Sequence, residues 1–176
     1  MYKPLFSKNE TMDTDILNKA KYYCARAERS PRNLRLFLMR REVPSDEIDE
    51  YLALLQEGRY YDPQRYAESY ARTRYRDMSQ GPHKIRQALR MQEVPTEIID
   101  AVLPEVIEAE QPNYSLAELL ESKLRRTSAR TPRALFDKMM RYGVGRGYPP
   151  SKVYEALQEV LQRMREEEED NESEEE

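Results

Sequence analysis

Residues 81–95 read GPHKIRQALRMQEVP, from Gly81 to Pro95, and the same pattern stands on either side of them. Upstream, Ser30-Pro31, Leu34, Leu38 and Val43-Pro44 occupy the places of Gly81-Pro82, Ile85, Leu89 and Val94-Pro95, each 51 residues earlier. Downstream, Thr131-Pro132, Leu135, Met139 and Val144 match 50 residues later. Gly145 to Tyr148 then intrude, and Pro149 resumes the pattern at an offset of 54. Self-similarity at a period of about 50 residues marks stacked supersecondary units. The chain reads as a repeat protein.

The content of each unit is helical. Ser30-Pro31, Asp62-Pro63 and Thr131-Pro132 pair an N-capping side chain with a proline at the first helical position, where no backbone donor is needed. Apolar residues then follow at one-face spacing. Leu17, Ala20 and Cys24 mark a first helix; Leu34, Phe37, Leu38 and Met39 a second; Ile48, Tyr51, Leu52 and Leu55 a third, opened at Pro44-Ser45 with Asp46 and Glu47 at its positive end. The order recurs with Tyr66, Ala67, Tyr70 and Ala71, then Ile85, Ala88 and Leu89, then Ile99, Val102, Leu103 and Val106. It recurs again with Leu116, Leu119, Leu120 and Leu124, then Leu135 and Met139, then Val153, Ala156, Leu157 and Val160. The expected fold is all-α, an elongated, curved array of three tandem three-helix repeats. Its expected parts are an N-terminal arm at 1–14, repeats at 15–61, 62–112 and 113–165, and an acidic, disordered tail at 166–176. Units this small bury too little surface alone, so stacking is expected to share their hydrophobic faces.

Composition narrows the function. Of 176 residues, 39% are hydrophobic and 35% charged, which suits thin amphipathic layers better than one large core. The net charge is -4, yet nine of the 33 acids fall in 166–176, leaving 29 bases against 24 acids, or +5, on the rest. A basic body points to an anionic partner, and the tail to solvation or to competition for that basic surface. No run is apolar enough for a membrane span or a signal peptide, and a single cysteine forms no internal disulfide, so a cytoplasmic protein is expected. His83 and Cys24 are the only residues of their kinds and have no companions at metal-ligand spacing. Gly143 to Gly147 lacks the Gly-Lys-Ser/Thr ending of a phosphate loop. The expectation is no enzyme, no metal and no cofactor.

Bases remain. In the middle unit Arg65, Arg72 and Arg76 fall opposite Tyr70 and Ala71, and Arg86 and Arg90 lie one turn apart beyond Lys84. The third helix carries acids instead: Glu97, Asp100, Glu105 and Glu108. Arg29 and Arg32 add to the first unit. Arginine's planar fork suits phosphates and carboxylates alike, so the cluster reads as a contact surface for nucleic acid or an acidic protein groove.

The middle unit's Tyr61-Asp62, Tyr66-Ala67, Tyr70, Arg74, Gly81, Ile85, Leu89 and Val94, with the threefold repeat over about residues 16–163, resemble the RecX family of RecA regulators. Arg29-Ser30-Pro31-Arg32-Asn33-Leu34 is similar to the family's entry to its second helix, with Asn33 in place of the usual acid. The family's Lys-Gly before the third helix is replaced by Arg41-Glu42 and Gln92-Glu93, and Tyr142-Gly143 comes nearest to it. The resemblance implies a monomeric, non-enzymatic protein that binds the groove of the RecA–single-stranded-DNA filament, with duplex DNA as a further candidate partner. There it would limit filament growth, ATP hydrolysis, strand exchange and coprotease activity. Arg29, Arg32, Arg65, Arg72, Arg76, Lys84, Arg86 and Arg90 are the candidate contacts with RecA or DNA. Two other readings stay open: a sequence-independent nucleic-acid-binding module that acts without RecA, and a helical scaffold for another acidic partner.

Overall fold

The computed structural model describes residues 13–174, so most of the expected N-terminal arm and the last two residues of the expected tail lie outside the described residues. The described residues form three successive groups of three helices and no strand. The first comprises α1 (Thr14–Ala25), α2 (Pro31–Met39) and α3 (Ile48–Glu57). The second comprises α4 (Pro63–Arg72), continued by a π-helical turn (Thr73–Asp77), α5 (Pro82–Met91) and α6 (Thr96–Ala109). The third comprises α7 (Leu116–Leu124), α8 (Pro132–Gly145) and α9 (Pro150–Glu174).

Helix starts follow the caps. Asp13, Ser30, Asp62 and Thr131 accept backbone N–H bonds from the first turns of α1, α2, α4 and α8. Ser115 and Glu118 close a capping box at α7. The apolar stripes then pack within each group. Leu34, Leu38, Tyr51 and Leu55 are buried in the first, Ile85, Leu89, Ile99 and Leu103 in the second, and Leu120, Met139, Val153 and Leu157 in the third.

These are three separate cores, and close helix-on-helix packing stays within groups. The expectation that neighbouring units share hydrophobic faces is therefore replaced by another joint, built mainly on backbone carbonyls that accept from backbone and side-chain donors. The N-terminal amide of Arg32 donates to the Gln92 carbonyl at the end of α5 (3.2 Å), and the Arg32 guanidinium donates to the Met91 carbonyl (3.0 Å). One unit on, Gly81 and His83 donate to the carbonyls of Arg146 and Gly147 after α8 (2.8 and 3.0 Å). The C-terminus of α8 thus meets the N-terminus of α5, and the C-terminus of α5 meets the N-terminus of α2. Donors left free at one helix end satisfy acceptors left free at the next, with opposite dipole ends facing. This explains why α5 begins at a glycine with no side-chain cap, where α2, α4 and α8 each have one. A Cβ on Gly81 would stand 2.3 Å from the carbonyl carbon of Gly147.

The four extra residues of the third unit are a turn of helix, not the intruding segment Gly145–Tyr148. α8 has 14 residues where α2 has 9 and α5 has 10. The amides of Val43, Val94 and Tyr148 each bond a carbonyl five residues back, on Leu38, Leu89 and Gly143. Each follows a residue with positive φ: Glu42 (61°), Glu93 (62°) and Gly147 (96°). Tyr148, buried, is the structural counterpart of Val94, whereas Val144 is exposed. One added turn of about 3.6 residues keeps the same face toward the core, so the joint survives the insertion. Arg146-Gly147, rather than Tyr142-Gly143, holds the place of the basic-glycine pair before the third helix.

Two further expectations change. Met39, placed on the apolar face of α2, is exposed, as is Leu36. Residues 166–174, expected to be disordered, continue α9 as helix. Glutamate is a good helix former, and Glu166 and Glu167 are tied to Gln162 (3.0 Å) and Arg125 (3.3 Å).

Candidate functional site

α5 occupies the middle of the end-to-end series, so its outer face borders both junctions. Lys84 and Arg90 stand on it exposed, and among the described residues neither has a carboxylate or hydrogen-bond partner for its side chain. These two cations are available as they stand.

The other candidates are engaged. Arg65 is paired with Glu28 across the first two units, and that hydrogen bond raises the guanidinium pKa. Arg72 donates to Glu110 (2.6 Å), and Arg76 bonds Asp77 (2.9 Å) with Glu110 a little further away (3.7 Å). Arg76 lies in the π-helical turn and not in α4, so it does not continue the face of Arg65 and Arg72 as straight helical spacing implies. Arg32 serves the junction. Arg29 bonds the Tyr23 carbonyl (3.1 Å) and lies 3.8 Å above the Tyr23 ring.

Arg86 is a fastener repeated along the chain. It forms an ion pair with Asp100, joining α5 to α6. At the repeat offset of 51 residues, Arg35 pairs with Asp49 (2.7 Å) and joins α2 to α3. In the third unit the equivalent positions hold Phe136 and Tyr154, whose rings meet edge to face at 5.9 Å. Of the third-helix acids, read from sequence as a separate charge layer, Asp49 and Asp100 thus reach back to second-helix arginines.

Exposed ion pairs contribute about 0–1 kcal/mol each. Arg65, Arg72, Arg76 and Arg86 can therefore exchange carboxylates for phosphates at small cost. Glu110 is the firmest of these anchors, because its side chain is only 20% exposed.

Sequence reading passed over an aromatic feature of the first unit. Tyr23 and Phe37 stack face to face at 4.4 Å, 13° from parallel. The guanidinium of Arg41 lies 3.5 Å over Phe37, so the rings are flanked by Arg29 and Arg41. The adjacent Tyr22-Tyr23, with Arg26 one turn beyond, was the available signal.

The fold and its basic helices define a tandem three-helix-repeat protein with a cationic middle, and known proteins share both sequence and architecture with it. Residues 62–103 match the model of the RecX second three-helix domain. The chain is 29% identical over 141 residues to regulatory protein RecX of Geobacillus kaustophilus (79% of this chain, 51% of that protein). It is 28% identical over 167 residues to regulatory protein RecX of Halalkalibacterium halodurans (95% and 62%). The chain thus spans between half and two thirds of the length of these curated relatives. The crystal structure of RecX from Lactobacillus salivarius superimposes with a TM-score of 0.70 at 21% identity, covering 84% of this chain and 96% of that one. A second crystal structure, of a regulatory protein RecX, gives 0.66 at 27% identity over 82% and 74%. The chain is thus similar to RecX proteins in sequence and in fold.

Proposed function

We propose that the chain is a non-catalytic regulator of RecA, acting in the cytoplasm mainly as an inhibitor. It lies along the groove of the RecA–single-stranded-DNA filament and limits filament growth, ATP hydrolysis, strand exchange and coprotease activity. The observation that carries this reading is the end-to-end joining of α8, α5 and α2 through backbone hydrogen bonds. A row of helices fixed to one another in this way presents its outer side chains at set spacing to a long, periodic partner. Lys84 and Arg90 are the first contacts; Arg65, Arg72, Arg76 and Arg86 follow by exchange of partners, with Arg29 and Arg32 at the edge.

Binding is tested by co-sedimentation of the protein, as a monomer, with filaments assembled on single-stranded DNA and a slowly hydrolysed ATP analogue. RecA alone and DNA alone serve as references. Retention on filaments well above both references is expected. Equal retention on naked DNA would favour a sequence-independent nucleic-acid-binding module acting without RecA, the reading supported by the unpaired Lys84 and Arg90.

A further inference from the structure

The groove between α1 and the end of α2 has features of a nucleotide site that the outer face of α5 lacks. It encloses about 470 Å³ and is lined by Asn18, Tyr22, Tyr23, Arg26, Phe37 and Arg41, with Lys19 at its edge. Among the described residues, none that lines it is an acid. Lys19 pairs with Asp15 (2.5 Å). Tyr22 is 68% exposed and carries Arg26 at 5.8 Å from its ring centre. Arg41 ends the Arg29–Tyr23–Phe37–Arg41 stack, oriented by a bond from its guanidinium to the Phe37 carbonyl (3.1 Å). One face of that guanidinium rests on Phe37, and the side chain is exposed.

We propose that this groove holds one unstacked base of single-stranded nucleic acid. The base packs between the Tyr22 ring and the outer face of Arg41, and Arg26 and Lys19 take the adjoining phosphates. Every base has a π-face, and aromatic rings and planar guanidinium groups are the side chains on which unstacked bases rest. A charged but aromatic-free surface, such as the outer face of α5, binds phosphate without distinguishing a base from an abasic sugar. This groove distinguishes them. The inference shares with the proposed function only the single-stranded DNA at the filament core, and it requires no RecA for its test.

The chain contains no tryptophan, so Tyr22→Trp creates a single reporter at an exposed position. Titration with oligothymidylate should quench its fluorescence saturably, while an abasic oligomer of equal length should quench it weakly. Tyr114→Trp, at a similarly exposed tyrosine away from the groove (61%), should not respond. Tyr22→Ala and Arg41→Ala should each weaken oligothymidylate binding on the order of tenfold, with unchanged circular dichroism. Equal quenching by oligothymidylate, abasic oligomer and polyglutamate would overturn the proposal, because the groove would then read charge alone. Binding that leaves the fluorescence of the Tyr22→Trp variant unmoved would overturn it too. If Tyr22→Trp responds as expected but the wild type leaves RecA untouched, the regulator reading fails and the base site stands; the reverse pattern removes the base site alone.

Discussion

Gly145 and Gly147 stand two residues apart and have opposite needs. Gly147 has φ of 96°, and a Cβ there would fall 2.4 Å from that of Lys84. Gly145 has open space within 4 Å in the last turn of α8. Gly147→Ala should destabilise the fold by about 1–3 kcal/mol, through strain and overpacking at the junction. Gly145→Ala should be neutral or stabilising by up to about 1 kcal/mol. Urea unfolding of the two variants checks both signs. Burial also sets the alkaline limit. It pushes the Cys24 thiol from an ordinary 9.0 up to about 11, and the Tyr148 hydroxyl from 10.0 up to about 12. Each group ionises more readily in the unfolded chain, so its stabilising contribution is complete below the unfolded pKa and is lost as pH rises through the folded one. Stability should fall from about pH 9 to 11 through Cys24 and from about pH 10 to 12 through Tyr148. Chemical denaturation across pH, with Cys24→Ala flattening the first interval, tests this. A wild-type curve that stays level to about pH 11 would contradict it.

At the level of helices, the ion pairs decide how much positive charge the surface offers. Glu110 is the carboxylate partner of Arg72, whereas Arg76 also has Asp77, so Glu110→Gln should release one cation, Arg72. Each added phosphate contact steepens the salt dependence of single-stranded DNA binding by about 0.7 in log–log slope. An increase of about 0.7 is expected from anisotropy titrations at several salt concentrations; an unchanged slope would show that Arg72 does not reach the DNA. Helix identity was legible because caps, prolines and apolar spacing are local: Asp62-Pro63, Thr131-Pro132 and the Ile99–Val106 stripe all read correctly. The extra turn of α8 was misplaced because a one-turn insertion leaves helical periodicity intact. Only the alignment of Val43-Pro44, Val94-Pro95 and Tyr148-Pro149 reveals it. The partners of the arginines were hidden for a different reason. Glu28 and Glu110 lie in connections, 37 and 38 residues from Arg65 and Arg72, and only the tertiary fold brings them together. The π-helical turn likewise has no local spelling in Thr73–Asp77.

Across the whole molecule, separate cores joined end to end favour length over compactness. Each unit keeps its own buried stripe, while backbone bonds at Gln92, Arg146 and Gly147 fix the spacing between units. This arrangement suits a partner that repeats. The most direct test is RecA-catalysed ATP hydrolysis on single-stranded DNA, with this protein titrated far below the RecA concentration. The account predicts strong inhibition at substoichiometric amounts, weakened by charge reversal at Lys84 and Arg90, because one molecule in the groove halts a growing filament. Inhibition that appears only when the protein is abundant enough to cover the DNA, or no inhibition while DNA binding persists, would contradict the account.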